Sequence, residues 1–309
     1  AVFIDEAKIS KDRKAHVPLI PRERPELVPL SLAQQRMWFL NRFEPESAVD
    51  HIPVALRLSG ALDVDALQGA LEDLIERHEI LRTVYPEVDG VGYQRLVDIA
   101  AVVPNLTPIR VDESAIVERV TDFVTPGFDV TTEVPIRAAL FQFAADEFVL
   151  VFVVHHISGD GFSMGPLTKD IVSSYVSRTQ GISHDLAPLP VQFADFALWQ
   201  REVLGSEDDP DSLITRQVDY WRHALAGIPD QLDLPSDRPR PRVASNRGAG
   251  HTFTIEPDLH QALNRIALDN NASLFMVLHS AVAILLARLS GTSDIAIGTP
   301  VAGRGDQAL

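Results

Sequence analysis

The segment His155-His156-Ile157-Ser158-Gly159-Asp160-Gly161 gathers two imidazoles, a carboxylate and two glycines directly after the apolar run EFVLVFVV at 147–154. An imidazole titrates near neutrality, so it can accept or direct a proton in a reaction. On a strand, successive side chains face opposite sides. If the extended geometry continues past Val154, His155 shares a face with Val151 and Val153, while His156 shares one with Phe152 and Val154. The rings then diverge and do different work: one a working base, the other a packed, hydrogen-bonded support. The same divergence weighs against a metal, because adjacent strand histidines do not close on one ion and Asp160 alone does not complete a ligand set. Gly159 and Gly161 permit a tight turn and close approach of a ligand. Asp160 can hold that turn through an arginine or backbone donors. The blander reading, two satisfied core histidines, stands beside this one.

The rest of the chain narrows the chemistry. There is no cysteine, so thiolate nucleophiles and disulfides are excluded, and a reducing, cytoplasmic setting is expected. No G-x-S-x-G elbow is present, and Ser158 and Ser163 flank the motif without a base of their own, which argues against a covalent acyl-enzyme. Direct acyl transfer between two bound reactants is the economical alternative, driven by holding them together or by stabilising charge in the tetrahedral state. The formal net charge of -16 disfavours nucleic acid and anionic membrane as partners. A hydrophobic share of 46% with 23% charged residues is that of a globular protein. The first residues lack the apolar block of a signal peptide. The most apolar stretch, 272–289, contains Ser273, His279, Ser280 and Arg288 and predicts a buried core helix rather than a membrane span.

The elements that must position the motif are legible nearby. Runs at 136–143 and 147–154 predict a hairpin that ends at the histidines. Leu167, Ile171, Val172, Tyr175 and Val176 predict one apolar face of a helix over 164–178. Ser31 with Gln34 forms a capping-box pattern at the head of a helix. Residues 52–58 alternate as a half-buried strand, and Asp63 caps the helix that follows. Residues 80–85 and 93–98 predict strands around the turn at Asp89-Gly90. Helices are expected at 193–204, 212–226, 258–269 and 273–289, and strands at 251–255 and 294–297. Residues 1–28, broken by Pro18, Pro21 and Pro25, predict a linker, and 234–250 a Pro/Arg/Gly-rich loop.

The motif and five other segments resemble, in chain order, the condensation domains of non-ribosomal peptide synthetases. They are SLAQQRMWFL at 31–40, RHEILRTVY at 77–85, PGFDVTTEVPIRAAL at 126–140, QFADFALWQ at 192–200 and IGTPVAGR at 297–304. The resemblance implies an α+β fold of two chloramphenicol acetyltransferase-like lobes in a V. Residues 1–28 would be a linker from an upstream carrier protein, 29–188 the N-terminal lobe, and 189–309 the first part of an incomplete C-terminal lobe. It implies amide formation, in which an acceptor amine attacks a donor thioester. Both substrates would ride on phosphopantetheine arms of upstream donor and downstream acceptor peptidyl carrier proteins, beside an adenylation domain, with no cofactor bound by the domain itself. By the same resemblance His156 is the catalytic residue and His155 its support. Asp160 is a structural carboxylate with Arg82 as its ion partner, and Gly161, Phe162 and Ser163 border the substrate channel. Phe162 stands where the family usually has tryptophan. An epimerization domain of the same fold is a rival, although DGFSMGPL departs from its DGVSWRIL pattern. A non-catalytic recruitment module is another.

Overall fold

The computed structural model describes residues 17–182, 186–239, 241–242, 248–301 and 303. Most of the expected linker, part of the Pro/Arg/Gly-rich loop and residues 302 and 304 of IGTPVAGR lie outside the described residues. The chain divides into two compact units, the first running to Ile214 and the second spanning Thr215–Ala302.

The first unit opens with β1 (Val28–Pro29), α1 (Leu32–Phe43), β2 (His51–Ser59) and α2 (Val64–Arg77). The short strands β3 (Thr83–Val84), β4 (Glu87–Val88) and β5 (Val91–Leu96) follow, then β6 (Ile109–Arg110) and α3 (Ile116–Val124). The hairpin β7 (Ile136–Ala144) and β8 (Glu147–His155) leads to α4 (Met164–Thr179) and α5 (Phe193–Leu204). The larger sheet has the order β2-β8-β7-β6, so β8 is an inner strand bonded on both edges. A smaller sheet gathers β1, β3 and β4 around β5.

Local chemistry starts these elements where the sequence predicts. Ser31 Oγ accepts the Gln34 N–H at 3.2 Å and Gln34 Oε1 accepts the Ser31 N–H at 3.1 Å, closing the capping box at the head of α1. Asp63 Oδ1 accepts the Ala66 N–H at 2.9 Å and begins α2. The stripe Leu67, Ala70, Leu71, Leu74 and Ile75 then packs with Leu140, Phe148, Leu150, Val154 and Ile171 into the main core. Asp89 and Gly90 both have positive φ, 52° and 81°, as a tight two-residue hairpin turn requires.

Several expectations are corrected. Glu79–Arg82 winds as a 3-10 turn, so the strand expected from residue 80 begins only at Thr83. On α4, Ile171 is buried but Val172 and Val176 are exposed. The described part of the expected linker is held against α5. Trp199 Nε1–H donates to the Val17 carbonyl at 2.7 Å and the Arg22 N–H to Asp195 at 3.0 Å. Arg22 also pairs with Glu202, and Arg24 with Glu79 at 2.7 Å. α5 falls in the first compact unit together with this segment. Gln192 ties its N-terminus to the end of α2, accepting the Glu79 N–H and donating to the Arg77 carbonyl.

The second unit is built on α6 (Leu213–Ala224), which starts at the boundary, with α7 (Pro257–Asp269) and α8 (Leu274–Ser290). Residues 251–255 and 294–297 form no strand. A strand persists only with a bonded neighbour, and no strand occurs among the described residues of this unit. For the same want of packing, α8 is not the buried helix expected: Phe275, Val282, Ile284, Leu285 and Leu289 are exposed.

Candidate active site

The two histidines are fixed from opposite edges of an inner strand. The His155 N–H donates to the Pro135 carbonyl at 3.0 Å, toward β7, and the His156 N–H to the Asp50 carbonyl at 2.8 Å, toward β2. His51 is the register partner of His155 across the β2–β8 ladder. Beyond the ladder the chain turns sharply: Ser158 donates through both its N–H and its hydroxyl to the His155 carbonyl.

The rings part as alternation predicts. His155 is 1% exposed and His156 is exposed. His155 Nδ1 accepts the Ile157 N–H at 3.1 Å, which places its proton on Nε2. Its pKa falls to about 4, first because burial penalises the charged ring and then because His51 and His156 oppose a further positive charge. His155 is therefore a neutral, packed ring. Phe128 stands edge-on to it at 5.8 Å, and the Arg137 guanidinium lies over the Phe128 ring, 3.8 Å from its centre.

The turn after the histidines is closed by its own side chains. Asp160 Oδ1 accepts the Ser163 N–H at 2.9 Å and the Ser163 hydroxyl at 2.7 Å, and Ser163 Oγ accepts the Asp160 N–H at 3.1 Å. Ser163 stands immediately before α4, so this clasp joins the loop to the helix. A Cβ at Gly161 would meet nothing within 4 Å, and Phe162 is 61% exposed. The space beside Gly161 and Phe162 is open.

Arg82 is bonded to the residue that follows β5. Its Nη1 donates to the Val97 carbonyl at 3.0 Å, while the Val97 N–H returns a bond to the Arg82 carbonyl. That mutual tie binds Arg82 to the end of β5. His51 went unnoticed in the sequence. Its Nδ1–H donates to the Val124 carbonyl at 2.9 Å and its ring lies 6.1 Å from that of His155. Its signal was its place one residue ahead of the alternating run at 52–58. His78 is a helix-end residue as expected, bonded to Asp170 at 2.8 Å. Burial lowers its pKa, against the opposing pull of Asp170. Trp38 packs in a core and donates to the Tyr85 carbonyl at 2.9 Å. Among the described residues no group of three or more His, Cys, Asp or Glu could hold a metal ion, and no single helix is long and apolar enough to cross a membrane.

A buried His155 closing the inner strand of a mixed sheet and an exposed His156 directly after it form the core of the candidate site. The family model for the condensation domain matches residues 25–309, and the chain belongs to that family, within the chloramphenicol acetyltransferase-like superfamily. It is 49% identical over 287 residues to a dimodular nonribosomal peptide synthase of Bacillus subtilis, covering 93% of this chain and 12% of that protein. It is 46% identical over 297 residues to an isonitrile lipopeptide synthase of Mycobacterium tuberculosis, covering 94% of this chain and 12% of that one. Among solved structures, the complex of the X-domain and OxyB from teicoplanin biosynthesis matches with a TM-score of 0.82 and 38% identity, over 90% of this chain and 60% of that chain. The chain thus spans about an eighth of these synthases and three fifths of that structure.

Proposed function

We propose that this chain forms amide bonds between two thioester-borne substrates. The amine of an acceptor aminoacyl group attacks the carbonyl of a donor acyl or peptidyl thioester, a C–N bond forms, the C–S bond breaks, and the donor's thiol is released. The amine loses its proton to solvent or to His156. Both substrates are carried on phosphopantetheine arms, the donor by an upstream peptidyl carrier protein and the acceptor by a downstream one, with an adenylation domain as neighbour. The observation that carries this reading is the division of labour between the histidines: His155 is sealed, while His156 is exposed with its backbone pinned to Asp50. Such a ring accepts or orients a proton without itself having to move. In this reading Asp160 and Ser163 set the turn, and Gly161 and Phe162 border the channel.

The test is to load an upstream carrier with an acyl donor and a downstream carrier with an aminoacyl acceptor, add the complete domain, and follow product on the downstream carrier. Product is expected, with His156→Ala slower by about two or more orders of magnitude. Inversion of a single aminoacyl thioester, without condensation, would instead make the chain an epimerization domain.

A second reading has an observation of its own. The similar X-domain structure is a complex with a partner protein, OxyB. On that reading the fold serves to recruit a partner, and no turnover with retained partner binding is the result that would establish it.

A further inference from the structure

Strand β2 begins at His51, and the ladder it makes with β8 ends at the pair His51 and His155. The bond from the His156 N–H to the Asp50 carbonyl, at 2.8 Å, is the terminal bond of that ladder, and it fixes the backbone of the exposed histidine. Terminal bonds open most readily unless something holds their partner. Here the accepting carbonyl belongs to the planar peptide between Asp50 and His51, whose N–H donates to the Ala48 carbonyl at 3.1 Å. One peptide group thus closes a turn with its nitrogen and carries His156 on its oxygen.

The side chain of His51 anchors this peptide. Its Nδ1–H donates to the Val124 carbonyl at 2.9 Å. Val124 is the last residue of α3, so its carbonyl is among those a helix leaves without an internal partner, at the end where the helix dipole attracts a donor. The ring also stands edge-on to Phe128, with centroids 5.0 Å apart and planes at 83°. Its Nε2 is buried without a hydrogen-bond partner among the described residues, which leaves Nδ1 as the polar anchor of the ring. Packing on Phe128 needs only an aromatic ring; the bond to α3 needs a nitrogen at the Nδ1 position. The end of α3 is thereby linked to the backbone of His156 through His51 and Asp50.

We propose that His51 is a positioning residue for His156: by holding the end of α3 it fixes the Asp50–His51 peptide on which the His156 backbone rests. The proposal rests on the amide-forming reading above. The test uses the complete domain with loaded carriers. His51→Phe keeps an aromatic ring against Phe128 and removes the nitrogen. His51→Asn keeps an N–H at the Nδ1 position, and His51→Gln carries its amide nitrogen at the Nε2 position instead. In the Phe and Gln variants kcat for amide formation should fall about tenfold, with KM for either loaded carrier within about twofold of the parent, and Asn should restore kcat to within about threefold. A second readout does not depend on turnover. In the domain carrying isotopically labelled histidine, the His156 amide should exchange with solvent about tenfold faster in the Phe and Gln variants and at the parent rate in Asn. The His155 amide, bonded to Pro135 on the other edge of β8, should keep its parent rate throughout. A Phe variant that exchanges and turns over like the parent overturns the proposal. Equal acceleration of both amides overturns it too, since that marks general loosening, as does an Asn variant no better than Phe. If the Phe variant does not fold, the contrast between Gln and Asn decides the same point. Absence of product from the parent would sink the amide-forming reading alone, and the exchange contrast would still decide whether His51 holds the His156 backbone.

Discussion

His155 and His156 are adjacent in sequence and opposite in circumstance, and the difference has a pH signature. The folded state holds His155 neutral down to about 4, against an ordinary value of 6.5. The unfolded chain takes up a proton below 6.5 while the folded chain does not. The contribution of this residue to stability is therefore intact above 6.5 and declines as pH falls toward 4, by a total on the order of 3 kcal/mol. His78, whose pKa is also lowered, acts in the same direction, so a difference measurement is needed. Urea unfolding from pH 7 to 4 should show a steeper decline for the parent than for His155→Asn, which keeps an acceptor for the Ile157 N–H; equal slopes would refute the assignment. A second prediction concerns Asp160. Its carboxylate accepts from the Ser163 N–H and hydroxyl, and Arg82 is bound to Val97. Asp160→Ala should destabilise by about 1–2 kcal/mol, and the double variant with Arg82→Ala should be additive within about 0.5 kcal/mol. A coupling well above that would restore the expected ion pair. The opposed faces of the histidine pair were legible from strand alternation alone. The fate of Arg82 was not, because which acceptor a long side chain reaches depends on where the 3-10 turn at Glu79–Arg82 sets its backbone.

Elements with strong local signals appear where the sequence places them. The β7–β8 hairpin, the Ser31 and Asp63 caps and the helix after the motif are set by alternation and capping chemistry within a few residues. The strands expected at 251–255 and 294–297 fail because an isolated apolar run carries no information about whether a partner strand lies beside it. The two-residue β1 was missed for the complementary reason: Val28-Pro29 is extended because it pairs with Tyr93 and Gln94 of β5, far along the chain. Close approaches between elements were also illegible. A Cβ on Gly127 would stand 2.1 Å from the Pro45 carbonyl oxygen and 2.7 Å from Glu46 Cα, both backbone atoms. Gly127→Ala should therefore force the segments before β2 and β7 apart and destabilise by about 1–3 kcal/mol. Ser31→Ala, removing a buried cap, should cost about 1 kcal/mol or more. Thermal unfolding measures both, and a Gly127→Ala variant as stable as the parent would contradict the packing described.

At the scale of the whole chain, the segment from Val17 to Val28 is part of the first unit. Asp195, 3% exposed, accepts the Arg22 N–H and the Gln192 N–H and lies 3.9 Å from the Arg24 guanidinium. Deleting the chain through Arg24 strips away two of these contacts and the Trp199 bond to Val17. The complete domain should then lose about 2 kcal/mol of stability, read as a shift in the urea midpoint; an unchanged midpoint would mean that the segment is a loose tether after all. Proline spacing had pointed to a tether, and the anchoring partners sit more than 160 residues away, beyond the reach of any local pattern. The placement of α5 also bears on how such synthases are recombined. A chimaera spliced at residue 188 would part Gln192 from Arg77 and Glu79, Arg201 from Leu30, and Trp199 from Val17, giving the donor scaffold a foreign helix in a bespoke socket. A breakpoint after Ile214 carries the helix along with the residues that grip it.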